Sequence, residues 1–152
     1  MFDLTDKVVL LTGATGGIGK SIAKGMKEKG AKLILSGTRQ NILNELSTEL
    51  GDDAKAIATD LTSKESILSL AKEAETSFGH IDILVNNAGI TADNLFLRMK
   101  DEEWENVINV NLSASMSLTR HVIKGMLKRK FGRIIFISSI VGFTGNSGQA
   151  NY

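Results

Sequence analysis

The chain of 152 residues contains no cysteine and no proline. The absence of cysteine excludes a disulfide framework and a thiolate nucleophile, and it is typical of a reducing compartment, so we expect a cytoplasmic location. Because proline does not mark the ends of helices and strands here, the 15 glycines are the candidates for those positions.

Long hydrophobic runs and a large excess of one charge are absent as well. The longest apolar runs, such as residues 8–11 and 134–137, have the length of a strand and are too short to span a membrane. The N-terminal segment 1–6 is acidic, with Asp3 and Asp6, and lacks the basic-then-apolar pattern of a signal peptide. A net charge of +1 gives no general reason to expect a nucleic acid partner. With 42% hydrophobic and 23% charged residues, the composition predicts one globular domain over residues 1–152.

Short apolar runs alternate along the chain with segments of helical periodicity. Strands are predicted at about 7–12, 32–36, 55–59, 81–86 and 132–138. Helices are predicted at 18–26 and 42–50, after a capping box at 62–65, and from 101 to about 130. Strands that alternate with helices form parallel sheets, so we expect an α/β fold with a doubly wound, Rossmann-like parallel sheet.

A glycine-rich segment lies between the first predicted strand and the first predicted helix. Gly13, Gly17 and Gly19 leave room there for a pyrophosphate to approach the backbone N–H groups and the helix N-terminus. Such a glycine pattern alone also occurs in ordinary turns, but its position directly after an apolar strand favours a dinucleotide site.

The end of the second predicted strand indicates which nicotinamide dinucleotide binds. NAD sites place an acid there for the ribose 2′-hydroxyl, whereas this chain has Ser36, Thr38 and Arg39. Arg39 could pair with a 2′-phosphate, so we expect NADP (NADPH). Two observations leave alternatives open: with Gly16, the glycine-rich segment has no basic residue to help hold a 2′-phosphate, and Arg39 could simply be a solvated residue at the start of a helix.

Several motifs follow one another in a characteristic order. These are the segment 12–19 (TGATGGIG), Asn86-Asn87-Ala88-Gly89, Asn111, Ser138-Ser139 and finally Tyr152, which comes 13 residues after Ser139. In this order and spacing the chain resembles the short-chain dehydrogenase/reductase family over its whole length. The resemblance implies carbonyl reduction with Tyr152 as the general acid, Ser139 as a hydrogen-bond partner of the substrate oxygen, and Asn111 as the residue that holds a water in a proton relay. Ser138 lies one residue outside the interval.

The resemblance also implies a set of cofactor contacts. Asp60 would contact the adenine amino group, and the segment 87–89 would border the adenine-side ribose and brace the central strand. Two alternatives remain, since Asp60 could cap a helix and the asparagines could satisfy loop backbone groups. The expected cofactor-binding residues are Gly13, Thr15, Gly17, Ile18, Gly19, Thr38, Arg39, Asp60, Leu61, Asn87, Ala88 and Gly89.

Within that family, three stretches resemble reductases of 3-oxoacyl groups carried on acyl carrier protein. They are residues 87–91 together with Asp93, residues 97–100 and residues 145–152. This likeness implies reduction of a 3-oxoacyl thioester by NADPH in fatty acid biosynthesis, by a homotetramer. The alternatives are a related reductase of acetoacetyl-CoA, a sugar or a steroid-like ketone, and a non-catalytic dinucleotide-binding fragment.

The family's lysine, four residues after the tyrosine, would fall beyond Tyr152, the last residue. In the family this lysine binds the nicotinamide ribose and lowers the pKa of the tyrosine. We therefore expect the chain to be the N-terminal portion of a longer reductase, without the later strands and helices, and to turn over little by itself.

A basic cluster lies near the end of the long predicted helix and includes Lys124, Lys128, Arg129, Lys130 and Arg133. Such a cluster could attract an acidic carrier protein, or it could simply complement the helix dipole. Neither nucleic acid nor a membrane is expected as a partner. His80 and His121 lack a second ligand at metal spacing, so no metal site is expected.

Overall fold

A computed structural model describes residues 2–152, which form a five-stranded parallel sheet with helices on both faces. All five predicted strands are confirmed, with bounds that differ by two residues or fewer from those predicted. They are β1 (Val8–Leu11), β2 (Lys32–Gly37), β3 (Ala54–Ala58), β4 (Ile83–Asn86) and β5 (Arg133–Phe136).

The helices also follow the predicted order. They are α1 (Gly17–Glu28), α2 (Gln40–Leu50), α3 (Lys64–Phe78), α4 (Asp101–Ile108), α5 (Ser115–Arg129) and the short α6 (Val141–Thr144). The helix predicted from 101 to about 130 is present, but a π-helical segment, Asn109–Ala114, separates α4 from α5. π-helical segments are rare in proteins, but those that do occur are often found at functional sites. This one contains Asn111. No helix within residues 2–152 is long and apolar enough to cross a membrane.

The strand order is β3-β2-β1-β4-β5, and every neighbouring pair is parallel. The chain therefore builds outward from β1 through β2 to β3, then returns to the other side of β1 for β4 and β5. This confirms the doubly wound, Rossmann-like fold. The order reverses between β1 and β4, and in open α/β sheets ligands bind beside the carboxyl ends of the strands at such a point.

Each face of the sheet has its own hydrophobic core. Val8 and Leu10 of β1 pack into the core that includes residues of α3 and α5, whereas Val9 and Leu11 pack into the core on the side of α1 and α2. All four residues are at most 1% exposed. Burial on both faces explains why this strand is continuously apolar instead of alternating with polar residues.

The start of α3 differs by one residue from the predicted capping box. Ser63, not Thr62, is the N-cap, and its hydroxyl accepts a hydrogen bond from the backbone N–H of Ser66 at 3.2 Å. Thr62 is instead bound to Asp60, whose Oδ1 accepts hydrogen bonds from the backbone N–H and the hydroxyl of Thr62. A turn stabilised by Asp60 therefore precedes the helix.

Close packing between the glycine loop and α1 explains one of the loop glycines. Gly19 is buried in the first turn of α1, and a Cβ added there would lie 2.8 Å from the Cα of Ala14. Gly13 has a φ of +65°, and a Cβ there would lie 2.8 Å from the Cα of Ala88. Both positions bring backbone segments closer together than a side chain would allow.

Gly19→Ala is expected to lower the free energy of unfolding by about 1–3 kcal/mol, because the added methyl group meets backbone that cannot move away easily. Gly25, in the same helix, is the matched control, since it is exposed and a Cβ there meets nothing within 4 Å. Gly25→Ala is expected to raise the free energy of unfolding by about 0.5–1 kcal/mol. Denaturant unfolding of the two variants measures both values, and equal effects would contradict the packing argument.

Candidate active site

Two adjoining cavities lie along the carboxyl ends of the central strands. The first has a volume of about 450 Å³ and is bordered by the glycine loop and the ends of β2 and β3. The second has a volume of about 830 Å³ and is bordered by α4, the π segment and the residues that follow β5. The cavities share a wall made of Ile18, Asn87, Ala88, Gly89 and Ile90.

The first cavity brings together almost all of the residues that the sequence predicts for cofactor binding. Of those residues, Asp60 alone does not border it. The residues that do are Gly13, Thr15, Gly17, Ile18, Gly19, Thr38, Arg39, Leu61, Asn87, Ala88 and Gly89.

The N-terminus of α1 supplies hydrogen-bond donors to this cavity. The N-cap, Gly16, offers no side-chain cap, and the N–H groups of Gly17, Ile18 and Gly19 have no acceptor among residues 2–152. Unpaired N–H groups at a helix N-terminus, together with the helix dipole, favour an anionic group such as a phosphate. The cavity therefore has the room and the donors that the pyrophosphate of a dinucleotide requires.

The glycine loop is attached to the end of β4 through Thr12 and Asn87. The buried Thr12 hydroxyl accepts hydrogen bonds from the backbone N–H groups of Asn87 and Ala88, both at 3.1 Å. In the opposite direction, Nδ2 of Asn87 donates to the carbonyl oxygens of Thr12 at 3.0 Å and Gly13 at 3.2 Å. The structural role considered for Asn87 is thus present, and the side chain also borders the cavity.

Thr12 itself was not among the predicted site residues. Its partners are 75 and 76 residues away in the sequence, so no local pattern indicates them. The one signal is its position: a threonine directly after four apolar strand residues and directly before Gly13 has to satisfy its hydroxyl inside the protein.

Thr12→Val is expected to lower the free energy of unfolding by about 1–3 kcal/mol, because two partly buried backbone N–H groups lose their acceptor. Thr12→Ser keeps the hydroxyl and removes only a methyl group, so it should cost about 1 kcal/mol. Denaturant unfolding of the two variants checks this. A serine variant as unstable as the valine variant would mean that the methyl group, not the hydroxyl, is what matters at this position.

Arg39 lies at the rim of the first cavity and is bound to the glycine loop. Its Nη2 donates to the carbonyl oxygen of Thr15 at 2.9 Å and to the Thr15 hydroxyl at 3.0 Å. Arg39 is also the N-cap residue of α2, with no side-chain cap bond, and its side chain is exposed. A guanidinium that binds the loop with one nitrogen keeps further N–H groups for an anion in the cavity.

Asp60 occupies the turn after β3 and is not the N-cap of α3. Hydrogen bonds from the hydroxyl and the backbone N–H of Thr62 lower the pKa of this exposed carboxyl group. Both bonds use Oδ1, and Oδ2 has no hydrogen-bond partner within residues 2–152. The carboxylate is thus fixed by one oxygen and retains a free acceptor near the neighbouring Leu61, which borders the cavity.

The second cavity brings together the three predicted catalytic residues. Asn111, Ser139 and Tyr152 all border it, although they come from the π segment, the loop after β5 and the end of the chain. Ser139 accepts a hydrogen bond from the backbone N–H of Val141 at 3.2 Å, which orients its hydroxyl oxygen. Ser138 borders the same cavity.

Asn111 is held firmly by the segment after β4. Its Oδ1 accepts a hydrogen bond from the N–H of Ile90 at 2.9 Å, and its Nδ2 donates to the carbonyl oxygen of Ile90 at 2.9 Å. The side chain therefore fixes the π segment against the wall that the two cavities share. The proton-relay role of Asn111 stays a prediction, and Ile90 is a structural partner that the sequence did not indicate.

Comparison with known proteins identifies the family. The family model described as short chain dehydrogenase matches residues 7–152. The chain belongs to the short-chain dehydrogenase family.

Individual relatives in this family match almost the entire chain. The nodulation protein G of Rhizobium sp. (strain N33) is 48% identical over 152 residues, which are 100% of this chain and 62% of that protein. The 3-oxoacyl-[acyl-carrier-protein] reductase FabG of Haemophilus influenzae is 48% identical over 146 residues, which are 96% of this chain and 60% of that protein. The reductase of the same name from Escherichia coli (strain K12) is 47% identical over 146 residues, with the same coverage. The chain thus spans about 60% of the length of these relatives.

Proposed function

We propose that the protein is an NADPH-dependent reductase of 3-oxoacyl thioesters, with the acyl group carried on acyl carrier protein. The observation that supports this best is the shared wall between the two cavities. A dinucleotide bound in the first cavity can extend across that wall into the second, where Tyr152 and Ser139 lie. The hydride donor and the substrate carbonyl group can then meet without either of them moving across the protein.

The chemical roles follow from the groups that border the second cavity. The cofactor, when bound, supplies a hydride for the carbonyl carbon. The Ser139 hydroxyl donates a hydrogen bond to the carbonyl oxygen and holds it in place. The Tyr152 hydroxyl gives its proton to the same oxygen, which becomes the alcohol. In this proposal, Asn111 holds the water through which a proton returns to the tyrosine.

The side chains around these groups favour an acyl substrate over a sugar. Val107, Leu112, Phe136 and Ile137 border the second cavity and present hydrocarbon to it. An aliphatic chain buries apolar surface against such a wall, whereas the hydroxyl groups of a sugar would lose hydrogen bonds to water there.

The carrier protein is proposed as a partner of three lysines near the end of α5. Lys124, Lys128 and Lys130 are exposed. Arg129 differs from them, because its Nη2 donates to the carbonyl oxygen of Ile81 and lies 3.9 Å from the buried Asp82. The partner surface is therefore proposed without Arg129. This surface lies at the amino ends of the strands, opposite the edge of the sheet where the cavities open, so it would attract an acidic carrier protein but would not itself hold the acyl group at the second cavity.

The test is turnover by the protein as its own cells make it, followed as NADPH oxidation. Acetoacetyl groups would be offered on acyl carrier protein, on coenzyme A and on a small uncharged thiol. We expect reduction of all three, with a rate for the carrier-bound substrate that falls as salt increases, because attraction between exposed charges is screened. No reduction of any of them would refute the proposed function.

A second candidate rests on the relative with a different name. The nodulation protein G is as similar to this chain as the reductase of Haemophilus influenzae, at 48% identity each. The name of that relative states no substrate, so a reductase of another ketone is proposed as the second candidate. Turnover of sugar and steroid-like ketones in the same assay, with poor turnover of acetoacetyl thioesters, would favour this second candidate.

A further inference from the structure

A buried polar residue stands directly before Tyr152. From Phe131 to Tyr152, Asn151 is the only buried residue, with 4% of its surface exposed. Within residues 2–152, the large apolar side chains nearby, Ile140 and Phe143, are 71% and 90% exposed. The buried contact closest to Tyr152 in this part of the chain is therefore made by the amide of Asn151.

The amide of Asn151 joins two other parts of the chain. Its Nδ2 donates to the carbonyl oxygen of Ala92 at 3.0 Å and to the carbonyl oxygen of Glu103 in α4 at 3.2 Å. Both partners are acceptors only, so the amide cannot be turned over without placing oxygen against oxygen. Its Oδ1 is buried and has no hydrogen-bond partner in the described part of the chain.

Further hydrogen bonds connect the same two segments beside Asn151. The backbone N–H of Asn94 donates to the carbonyl oxygen of Gly148 at 2.9 Å, and Nε2 of Gln149 donates to Oδ1 of Asp93 at 3.1 Å. Asn94 is itself bound to α4, because its Nδ2 donates to the carboxylate of Glu103 at 3.1 Å. Residues 92–103 thus form a frame for the segment 145–152.

Tyr152 depends on this frame because its own side chain does not fix it. The phenolic hydroxyl makes no hydrogen bond to residues 2–152, and the residue is 41% exposed. Its backbone N–H donates to the carbonyl oxygen of Gln149 at 3.1 Å, within the same segment. The place of the phenol in the second cavity is consequently set by the backbone, and the buried support of that backbone is the preceding residue.

We propose that Asn151 is a positioning residue for Tyr152. By binding Ala92 and Glu103, its amide holds the phenol at the position in the second cavity from which a proton can be transferred to the substrate oxygen. The proposal rests on the general-acid role of Tyr152 proposed above. Displacement of a reacting group by about 1 Å can reduce a rate by about 100-fold, so an anchor next to the acid has a direct effect on turnover.

Asn151→Asp tests the amide with almost no change of shape, because the group that faces the two carbonyl oxygens becomes an oxygen. Asn151→Ala removes the same donor without burying a charge. The matched control is Asn44→Asp, at an exposed position of α2 that borders neither cavity and whose side-chain oxygen accepts a hydrogen bond from Gln40, as an aspartate oxygen also can. We expect both Asn151 variants to lose at least about tenfold in kcat per NADPH-binding site, with the KM for NADPH within about twofold of the parent. Asn44→Asp should keep the parent values.

Counting kcat per NADPH-binding site separates positioning from a loss of folded protein, which would lower both quantities together. Normal kcat in both Asn151 variants would overturn the proposal. Hydrogen exchange at the amide of Asn94, which donates to Gly148, is the second measurement. It should rise at least about tenfold in both Asn151 variants and not in the control.

The exchange measurement does not depend on the reaction. If the parent protein reduces no ketone, the proposed function fails while exchange still tests the anchor. Unchanged exchange at Asn94 would then overturn the inference by itself.

Discussion

Tyr152→Phe is expected to reduce kcat by about 10²–10⁴-fold while NADPH binds almost as tightly as before. The substitution removes one oxygen atom from the only tyrosine of this chain. Because the hydroxyl makes no hydrogen bond to residues 2–152, its removal leaves no donor or acceptor unpaired inside the protein. The loss should therefore fall on proton transfer and not on stability.

Two measurements on the same variant separate these effects. NADPH oxidation in the presence of an acetoacetyl thioester gives kcat, and a fluorescence titration with NADPH gives the dissociation constant. Substantial remaining turnover would mean that another group protonates the carbonyl oxygen. A large loss of NADPH affinity would instead mean that the phenol helps to form the cofactor site.

Most of the fold could be predicted because the signals are local. The four consecutive apolar residues of β1 are buried on both faces of a parallel sheet, and such strands keep a continuous apolar sequence. Gly13 and Gly19 lie where backbone segments approach each other closely, and such places require glycine, which is visible in the sequence. The acids at the start of α4 indicate a helix N-terminus, and the helix begins at Asp101 as predicted.

The parts that could not be predicted depend on partners far away in the sequence. Thr12 and Asn87, 75 residues apart, each form side-chain hydrogen bonds with the backbone of the other's segment. Asn151 binds carbonyl oxygens 48 and 59 residues earlier. A polar residue gives no sign of a distant backbone partner. Competition between neighbouring hydrogen bonds is also not evident from the sequence. Thr62 binds Asp60, so Ser63 and not Thr62 caps α3.

The basic cluster is a surface feature whose contacts likewise could not be predicted from the sequence. Sequence spacing makes Lys128, Arg129 and Lys130 equivalent, but the structure separates them. Arg129 reaches the amino end of β4, where Asp82 is 5% exposed and accepts a hydrogen bond from the backbone N–H of Val8 at 3.2 Å. Arg129 thus contacts buried groups, whereas Lys128 and Lys130 are exposed to solvent. The sequence does not show this difference, because it depends on where each side chain points.

Arg39→Glu is expected to weaken NADPH binding by about 100-fold or more while NADH binding changes by less than about threefold. A charge-assisted hydrogen bond to a phosphate contributes about 1.5–3 kcal/mol, and the new carboxylate repels the same phosphate. In addition, a carboxylate at this end of β2 can accept a hydrogen bond from the ribose 2′-hydroxyl of NADH. Titration of the variant with each cofactor measures the two dissociation constants.

The comparison between cofactors is necessary because Arg39 also binds the glycine loop. If these hydrogen bonds to Thr15 also shaped the pyrophosphate site, their loss would weaken the binding of NADPH and NADH equally. Equal losses would therefore assign Arg39 a structural role and refute the 2′-phosphate contact. Arg120→Glu is the control for the change in charge, since Arg120 is exposed on α5 and borders neither cavity. A preference that shifts in the Arg39 variant and not in the Arg120 variant would trace the choice of NADPH to the end of β2.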